Sequence, residues 1–219
     1  MRPLLVIGNK NYSSWSLRPW LALRASGIAF DEVQLPLFTD EFRRRIAEFS
    51  PAGRVPVLVD GDVRVWESIA ILEYAAERWP DRGLWPAASA ARAHARVVCA
   101  EMHAGFHALR AAMPMNLRSS HPGKGRSPEV DADIARVSDL WRDCLARSGG
   151  PFLFGAFGNA DAMYAPVVTR FVTYGVALAP DLQRYSAAVL GLPAMREWHA
   201  AGCAETAFLA EDEPYAQAP

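Results

Sequence analysis

The sequence predicts two domains, an α/β half built on a mixed four-stranded sheet followed by an all-helical half. Three observations carry this reading. Short apolar runs alternate with helical patterns across residues 1–80. Two strand-like runs meet at Asp60-Gly61, a strong short hairpin signal. From Ala90 onwards long helical stretches follow one another, with no convincing strand among them.

Each element has its own cue. "LLVIG" (Leu4 to Gly8) is continuously apolar, as a strand covered on both faces requires. A helical pattern with Trp20, Leu21 and Leu23 follows and stops at Gly27. "AFDEVQL" (Ala29 to Leu35) alternates like a half-buried strand, and "TDEFRRRIAEF" offers Thr39 or Asp40 as the cap of a short helix. "VPVLVDGDVRVW" supplies the two hairpin strands, and "ESIAILEYAAERW" reads as a helix ending before Pro80. The order β-α-β-α-β-β-α implies a right-handed parallel β-α-β unit with an antiparallel hairpin added, a thioredoxin-like arrangement. "RWPDRGLWPAAS" then changes the grammar. The expected layout is a thioredoxin-like domain over 1–80, a linker over 81–88 and an all-helical domain over 89–219. In the latter, "ARAHARVVCAEMHAGFHALRAAMPMNLR" reads as one long helix disturbed at Pro114. "VDADIARVSDLWRDCLARSGG", "NADAMYAPVVTRFVTYGVAL" and "LPAMREWHAAG" follow as further helices.

Bulk properties narrow the function. The chain has 219 residues, 51% of them hydrophobic, and a formal charge of -1, enough to bury a sizeable core. Near-neutral charge without a basic patch argues against a nucleic-acid partner. The apolar runs are too short for a membrane span, and "MRPLLVIG" lacks a signal peptide's apolar region and cleavage site. Cys99, Cys144 and Cys203 are odd in number and widely spaced, which reads as reduced thiols in a cytoplasmic protein.

"NYSSWSLRPW" places Ser13, Ser14 and Ser16 where a strand gives way to a helix. Such serines are commonly helix caps; the alternative is that one hydroxyl points into a site. Pro19 belongs in a first helical turn, where its missing N–H costs little, which favours Ser16 as the cap and leaves Ser13 and Ser14 in the preceding loop. Val55-Pro56 opens a strand, a position that tolerates proline. In the cis form it would turn the chain and present the Val55 backbone to a ligand. Glu67-Ser68 begins a helix directly after the hairpin. It can serve simply as a good N-terminal pair. Alternatively, the helix N-terminus and the Ser68 hydroxyl hold a carboxylate while Glu67 holds an ammonium, matching a zwitterionic amino-acid head group.

Together "SSWSLRPWLAL", "SPAGRVPVL", "ESIAILEYAAERWP" and the helical second half resemble a soluble glutathione transferase over essentially the whole chain. "SSWS" resembles the serine motif of the zeta class, the maleylacetoacetate isomerases, in which a cysteine usually stands in the place of Trp15. "NADAMYAPV" resembles the family's helix-capping motif with Asp161 in the aspartate's place, while Gly158 replaces the usual Ser or Thr and weakens the box. The resemblance implies glutathione as cosubstrate, a cis Val55-Pro56 bond, backbone pairing of Val55 with the cysteinyl part, Glu67 and Ser68 on the γ-glutamyl part, and Arg54 on the glycyl carboxylate. It also implies a homodimer active in detoxification.

A thiolate near neutral pH needs help, since a free thiol has a pKa of about 8.5. A hydroxyl donating to the sulfur at a helix N-terminus would supply it. The motif match puts Ser13 first and Ser14 second; Tyr12 is a further hydroxyl near the strand end. Trp15 packs at the domain interface or walls the site. His103, His107 and Arg110 fall at i, i+4 and i+7 on one face of the long helix. They line the pocket of a small hydrophobic or electrophilic substrate, or else face a subunit interface or solvent. No third ligand accompanies the histidine pair and the HExxH pattern is absent, so no metal site is expected. The leading expectation is transfer of the glutathione thiolate to a small electrophile. The alternatives are glutathione-dependent cis–trans isomerisation and a non-catalytic glutathione-binding module.

Overall fold

A computed structural model describes residues 2–216. Strand β1 (Leu4–Ile7) lies inside the sheet, parallel to β2 (Asp31–Gln34) and antiparallel to β3 (Val57–Asp60). β4 (Val63–Trp66) pairs antiparallel with β3, completing the order β2-β1-β3-β4. Gly61 turns the β3–β4 hairpin at φ 61°, the left-handed region that an Asp-Gly turn uses. Successive side chains of β1 point to opposite faces. Leu5 and Ile7 enter one core with Leu17, Leu21, Ile71 and Leu72, whereas Val6 joins Leu35, Ile46 and Val57 in a second. Helices α1 (Ser14–Ala25) and α3 (Ser68–Arg78) supply the first layer, and α2 (Asp40–Arg45) with its following turn supplies the second. Burial of both faces is why this strand is apolar throughout.

The second half is mostly helical: α4 (Ser89–Ala104), α5 (His107–Ala112), α6 (Pro128–Ser148), α7 (Asn159–Thr173), α8 (Pro180–Gly191) and α9 (Pro193–Cys203). Helix α7 packs on α1 and α4, and both α1 and α7 are buried on nearly every side. Helix α1 therefore lies between sheet and helices, and its first turn sits at the seam. Asp161 in α7 accepts from the backbone N–H of Gly158 and of Leu153, each at 3.0 Å. Gly158 has no side chain to reciprocate, and a Cβ there would stand 3.0 Å from the Leu84 carbonyl oxygen.

Three local features differ from expectation. Ser13, not Ser16, caps α1: its Oγ accepts from the Ser16 N–H at 3.4 Å and pairs with Ser16 Oγ at 2.7 Å. Asn9 closes the preceding turn by accepting from Ser13 N at 2.8 Å, so the chain is bent into helix before Ser16 is reached. Ser16 Oγ accepts from Gly8 N at 3.1 Å, tying strand end to helix, and Pro19 falls in the second turn. The long helix expected through Pro114 breaks at Gly105. A Cβ at Gly105 would lie 2.8 Å from the Glu101 carbonyl oxygen, and Phe106 takes a left-handed φ of 57°. Helix α5 then ends before Met113-Pro114, as the restriction on pre-proline residues requires. Finally, α8 is not among the helices expected above, although Leu182, Tyr185, Ser186 and Val189 form a buried i, i+3, i+4, i+7 stripe.

Candidate active site

Two adjoining pockets open at the seam. The smaller, about 250 Å³, is lined by Arg54, Val55, Pro56, Glu67 and Ser68 together with Trp15 and Arg110. The Val55-Pro56 peptide is cis, as the resemblance implies. Glu67 adopts φ 68° where β4 turns into α3, an uncommon conformation for a residue with a Cβ. Ser68 follows as the first residue of α3, 1% exposed, and its Oγ has no hydrogen-bond partner. A buried hydroxyl left open at a helix N-terminus is a place for an anionic acceptor.

His103 stands 3.8 Å from Glu67 by its Nε2. Burial, reinforced by the positive charges of Arg18 and Arg110, lowers its pKa against the opposing pull of Glu67. Its surroundings thus favour the neutral imidazole over the ion pair with Glu67.

The larger pocket, about 670 Å³, shares Trp15, Arg54, Val55 and Arg110 with the smaller and adds Tyr12, Ser13, Ser14, His107, Arg170 and Asp212. Ser13 and Ser14 are 7% and 9% exposed. The Ser13 hydroxyl is engaged twice with Ser16. Ser14 Oγ accepts from Arg170 Nη2 at 3.3 Å, which leaves its own proton available to a ligand. Tyr12 borders the pocket, but its hydroxyl is held by Glu213, by Ala207 O at 2.9 Å and by Arg118 Nη2 at 2.5 Å. Burial, then Glu213, pushes its pKa up to about 12. Tyr12 is a wall here, not a free hydroxyl.

Trp15 forms the partition between the pockets. The guanidiniums of Arg18 and Arg110 lie over its ring at 4.1 Å and 4.8 Å from the centroid, and His103 meets it in a T-shaped arrangement at 5.3 Å. Arg110 Nη1 donates to Gly105 O at 3.0 Å, so the break after α4 also fixes this arginine. The same break corrects the expected stripe. His103 ends up on α4 beside Glu67 and outside both pockets, whereas His107 opens α5 and borders the larger one. Among the described residues no group of three His, Cys, Asp or Glu is placed to hold a metal ion, and no helix is long and apolar enough to cross a membrane. Arg18 and Arg170 are site-forming residues that sequence reasoning missed. The available signal was a cation inside an apolar helix, as in "APVVTRFVTY".

Comparison with known proteins places the chain in a family. Residues 12–78 match the family model for the glutathione S-transferase N-terminal domain, and residues 124–201 match that for the C-terminal domain. A probable maleylacetoacetate isomerase of Caenorhabditis elegans is 34% identical over 109 residues, 49% of this chain and 50% of that protein. The maleylacetoacetate isomerase of Rattus norvegicus is 25% identical over 204 residues, 90% of this chain and 92% of that one. A glutathione transferase homolog from Burkholderia with bound glutathione superposes with a TM-score of 0.72 at 21% identity, covering 92% of this chain and 98% of the other, a likeness of fold. The match spans half of the first curated relative's length and about a third of the next, 32%.

Proposed function

This chain belongs to the glutathione S-transferase family, and on that premise we propose that it binds glutathione as a thiolate and transfers it to a small electrophile. The observation that carries the proposal is the buried, unpartnered Ser68 hydroxyl at the start of α3, beside Glu67 and facing the Val55-Pro56 turn. In this reading Ser68 and the α3 N-terminus receive the γ-glutamyl carboxylate, and Glu67 receives its ammonium. The Val55 backbone pairs with the cysteinyl unit, and Arg54 meets the glycyl carboxylate. The sulfur then lies toward α1, where Ser13 and Ser14 are the candidate hydroxyls. We favour Ser14, because Ser13 is already spent as the cap.

Titrating glutathione-saturated protein and following thiolate absorbance near 240 nm tests the reading. A bound thiol pKa at least one unit below the free value of about 8.5 is expected. Binding with an unshifted pKa would reduce the protein to a glutathione-binding module.

A second reading is isomerisation, in which the same thiolate adds to a cis double bond and leaves after rotation. The near full-length match to a maleylacetoacetate isomerase favours it. Substrate turnover without net consumption of glutathione would select it over transfer.

The proposal extends to a two-domain layout, 1–80 and 89–219 joined by 81–88, in a cytoplasmic homodimer serving detoxification.

A further inference from the structure

Three consecutive residues, Lys10, Asn11 and Tyr12, lead from β1 to the serines of α1, and each is tied to residues more than 100 positions away in the chain. The two oxygens of Glu205 accept from this turn, one from Lys10 N at 2.7 Å and the other from Asn11 N at 3.2 Å. The Asn11 side chain is fully buried and reaches the segment after Pro114. Its Oδ1 accepts from Leu117 N at 2.8 Å and from Arg118 N at 3.1 Å, and its Nδ2 donates to Asn116 Oδ1 at 3.0 Å. The Tyr12 hydroxyl accepts from Arg118 Nη2 at 2.5 Å and lies against Glu213 and Ala207 O.

Arg118 is the centre of this arrangement. Its Nη1 donates to Glu205 O and its Nη2 to Ala207 O, each at 2.7 Å, and it forms an ion pair with Glu213 at 2.6 Å. Glu213 is 7% exposed, so losing its cation would leave a desolvated charge uncompensated. One side chain thus grips the C-terminal segment at two carbonyls and a carboxylate while holding Tyr12 on the other side. A guanidinium suits this task because its donors are fixed in one plane, whereas an ammonium is a point charge on a flexible stem.

What these bonds hold is the residue before the candidate thiol hydroxyls. Local bonds close the turn, with Tyr12 N and Ser13 N both donating to Asn9 O, but the Lys10 and Asn11 N–H groups and the Tyr12 hydroxyl are satisfied only from outside it. A hydroxyl stabilises a thiolate only at hydrogen-bond distance, and small displacements of a preorganised group are costly to rate.

We propose that Arg118 is a positioning residue for the thiolate chemistry. Through Tyr12, Glu205 and Glu213 it fixes the turn that carries Ser13 and Ser14, so the C-terminal segment sets how well the thiol is activated although it holds none of the candidate glutathione contacts. The inference rests on the transferase reading for the activation of the thiol; the clamp on the turn does not.

The test compares Arg118→Met, Arg118→Lys and Tyr12→Phe with the wild type in two readouts. The first is the thiol pKa of bound glutathione together with kinetics on 1-chloro-2,4-dinitrobenzene. Arg118→Met should raise the bound thiol pKa by about half a unit or more and lower kcat about fivefold, with glutathione affinity within about twofold of the wild type. Arg118→Lys, which keeps the charge opposite Glu213 without the fork, should recover part of both losses. Tyr12→Phe should shift both in the same direction by less. Variants that melt earlier yet keep the wild-type thiol pKa and kcat overturn the proposal, because Arg118 would then serve stability alone. The second readout is amide hydrogen exchange without glutathione. The Lys10 and Asn11 amides should exchange about tenfold faster in Arg118→Met while those of β1 are unchanged, and equal exchange in variant and wild type also overturns the proposal. If Arg118→Met fails to fold, Arg118→Lys and Tyr12→Phe decide both readouts. An unshifted thiol pKa in the wild type would sink the transferase reading, and the activation of the thiol with it, while the exchange readout would still decide whether Arg118 holds the turn.

Discussion

The two pockets meet at Trp15, Arg54, Val55 and Arg110 and are built on different plans. The smaller is assembled from short neighbouring stretches, Arg54 to Pro56 and Glu67-Ser68, and presents backbone groups, a helix N-terminus and charges of both signs. The larger adds to Arg54 polar side chains from the start of α1 and the turn before it, α5, α7 and the turn containing Asp212, and its charge is predominantly positive. The first plan suits a ligand that never changes, because hairpin and helix start fix every group by local geometry. The second plan holds its groups by tertiary packing. Its chemistry can change with a single side chain while the fold stays as it is.

If the pockets are separate in function, substitutions should dissociate them. Glu67→Ala and Ser68→Ala each remove a charged or charge-assisted contact to the amino-acid head group, worth about 1.5–3 kcal/mol. Glutathione affinity measured by calorimetry should fall about 10–100-fold, while KM for 1-chloro-2,4-dinitrobenzene at saturating glutathione stays within about twofold. This is the largest effect expected. Equal losses for both ligands would merge the pockets into one site and break the comparison.

The next effect falls on the start of α1. Ser14→Ala should move the thiol pKa of bound glutathione up by about one unit and lower turnover accordingly, with little change in glutathione affinity. Ser13→Ala should act mainly on folding, costing about 1 kcal/mol as a lost cap. Thiolate absorbance and thermal melts on both variants separate the roles. A larger thiol shift in the Ser13 variant would return the sulfur to that hydroxyl.

Legibility in the sequence followed the same division. The apolar β1, the Asp60-Gly61 hairpin, Val55-Pro56 and Glu67-Ser68 are local signals, and each could be read from a few adjacent residues. The cap of α1 was not legible, because the turn closed by Asn9 decides where the helix begins and its partners lie outside the serine run. The break after Ala104 depends on a contact between Gly105 and the Glu101 carbonyl that a helical periodicity does not reveal. Arg18 and Arg170 are brought together by packing α1 against α7, which no spacing in the chain announces, whereas Arg110 was read from its spacing with His103 and His107.

Asp212 offers the smallest and most diagnostic shift. Its carboxyl is raised from the usual 3.8 to about 6, first by burial and further by Glu211 and Glu213, with Arg170 pulling the other way. A raised carboxyl binds more protons folded than unfolded between these values, so its contribution to stability declines as pH rises from about 4 to about 6. The same ionisation places a negative charge beside Arg170 in the wall of the larger pocket. Asp212→Asn cannot ionise, so in thermal melts it should gain on the wild type as pH rises from about 4 to about 6, by roughly 1 kcal/mol once solvent screening is allowed for. Glutathione affinity measured in parallel is the control, since the pocket around Glu67 and Ser68 lacks Asp212. A difference between the two proteins that stays flat across this range would mean that Asp212 is ionised throughout and does not vary the charge of the larger pocket, leaving the two pockets equally insensitive to pH.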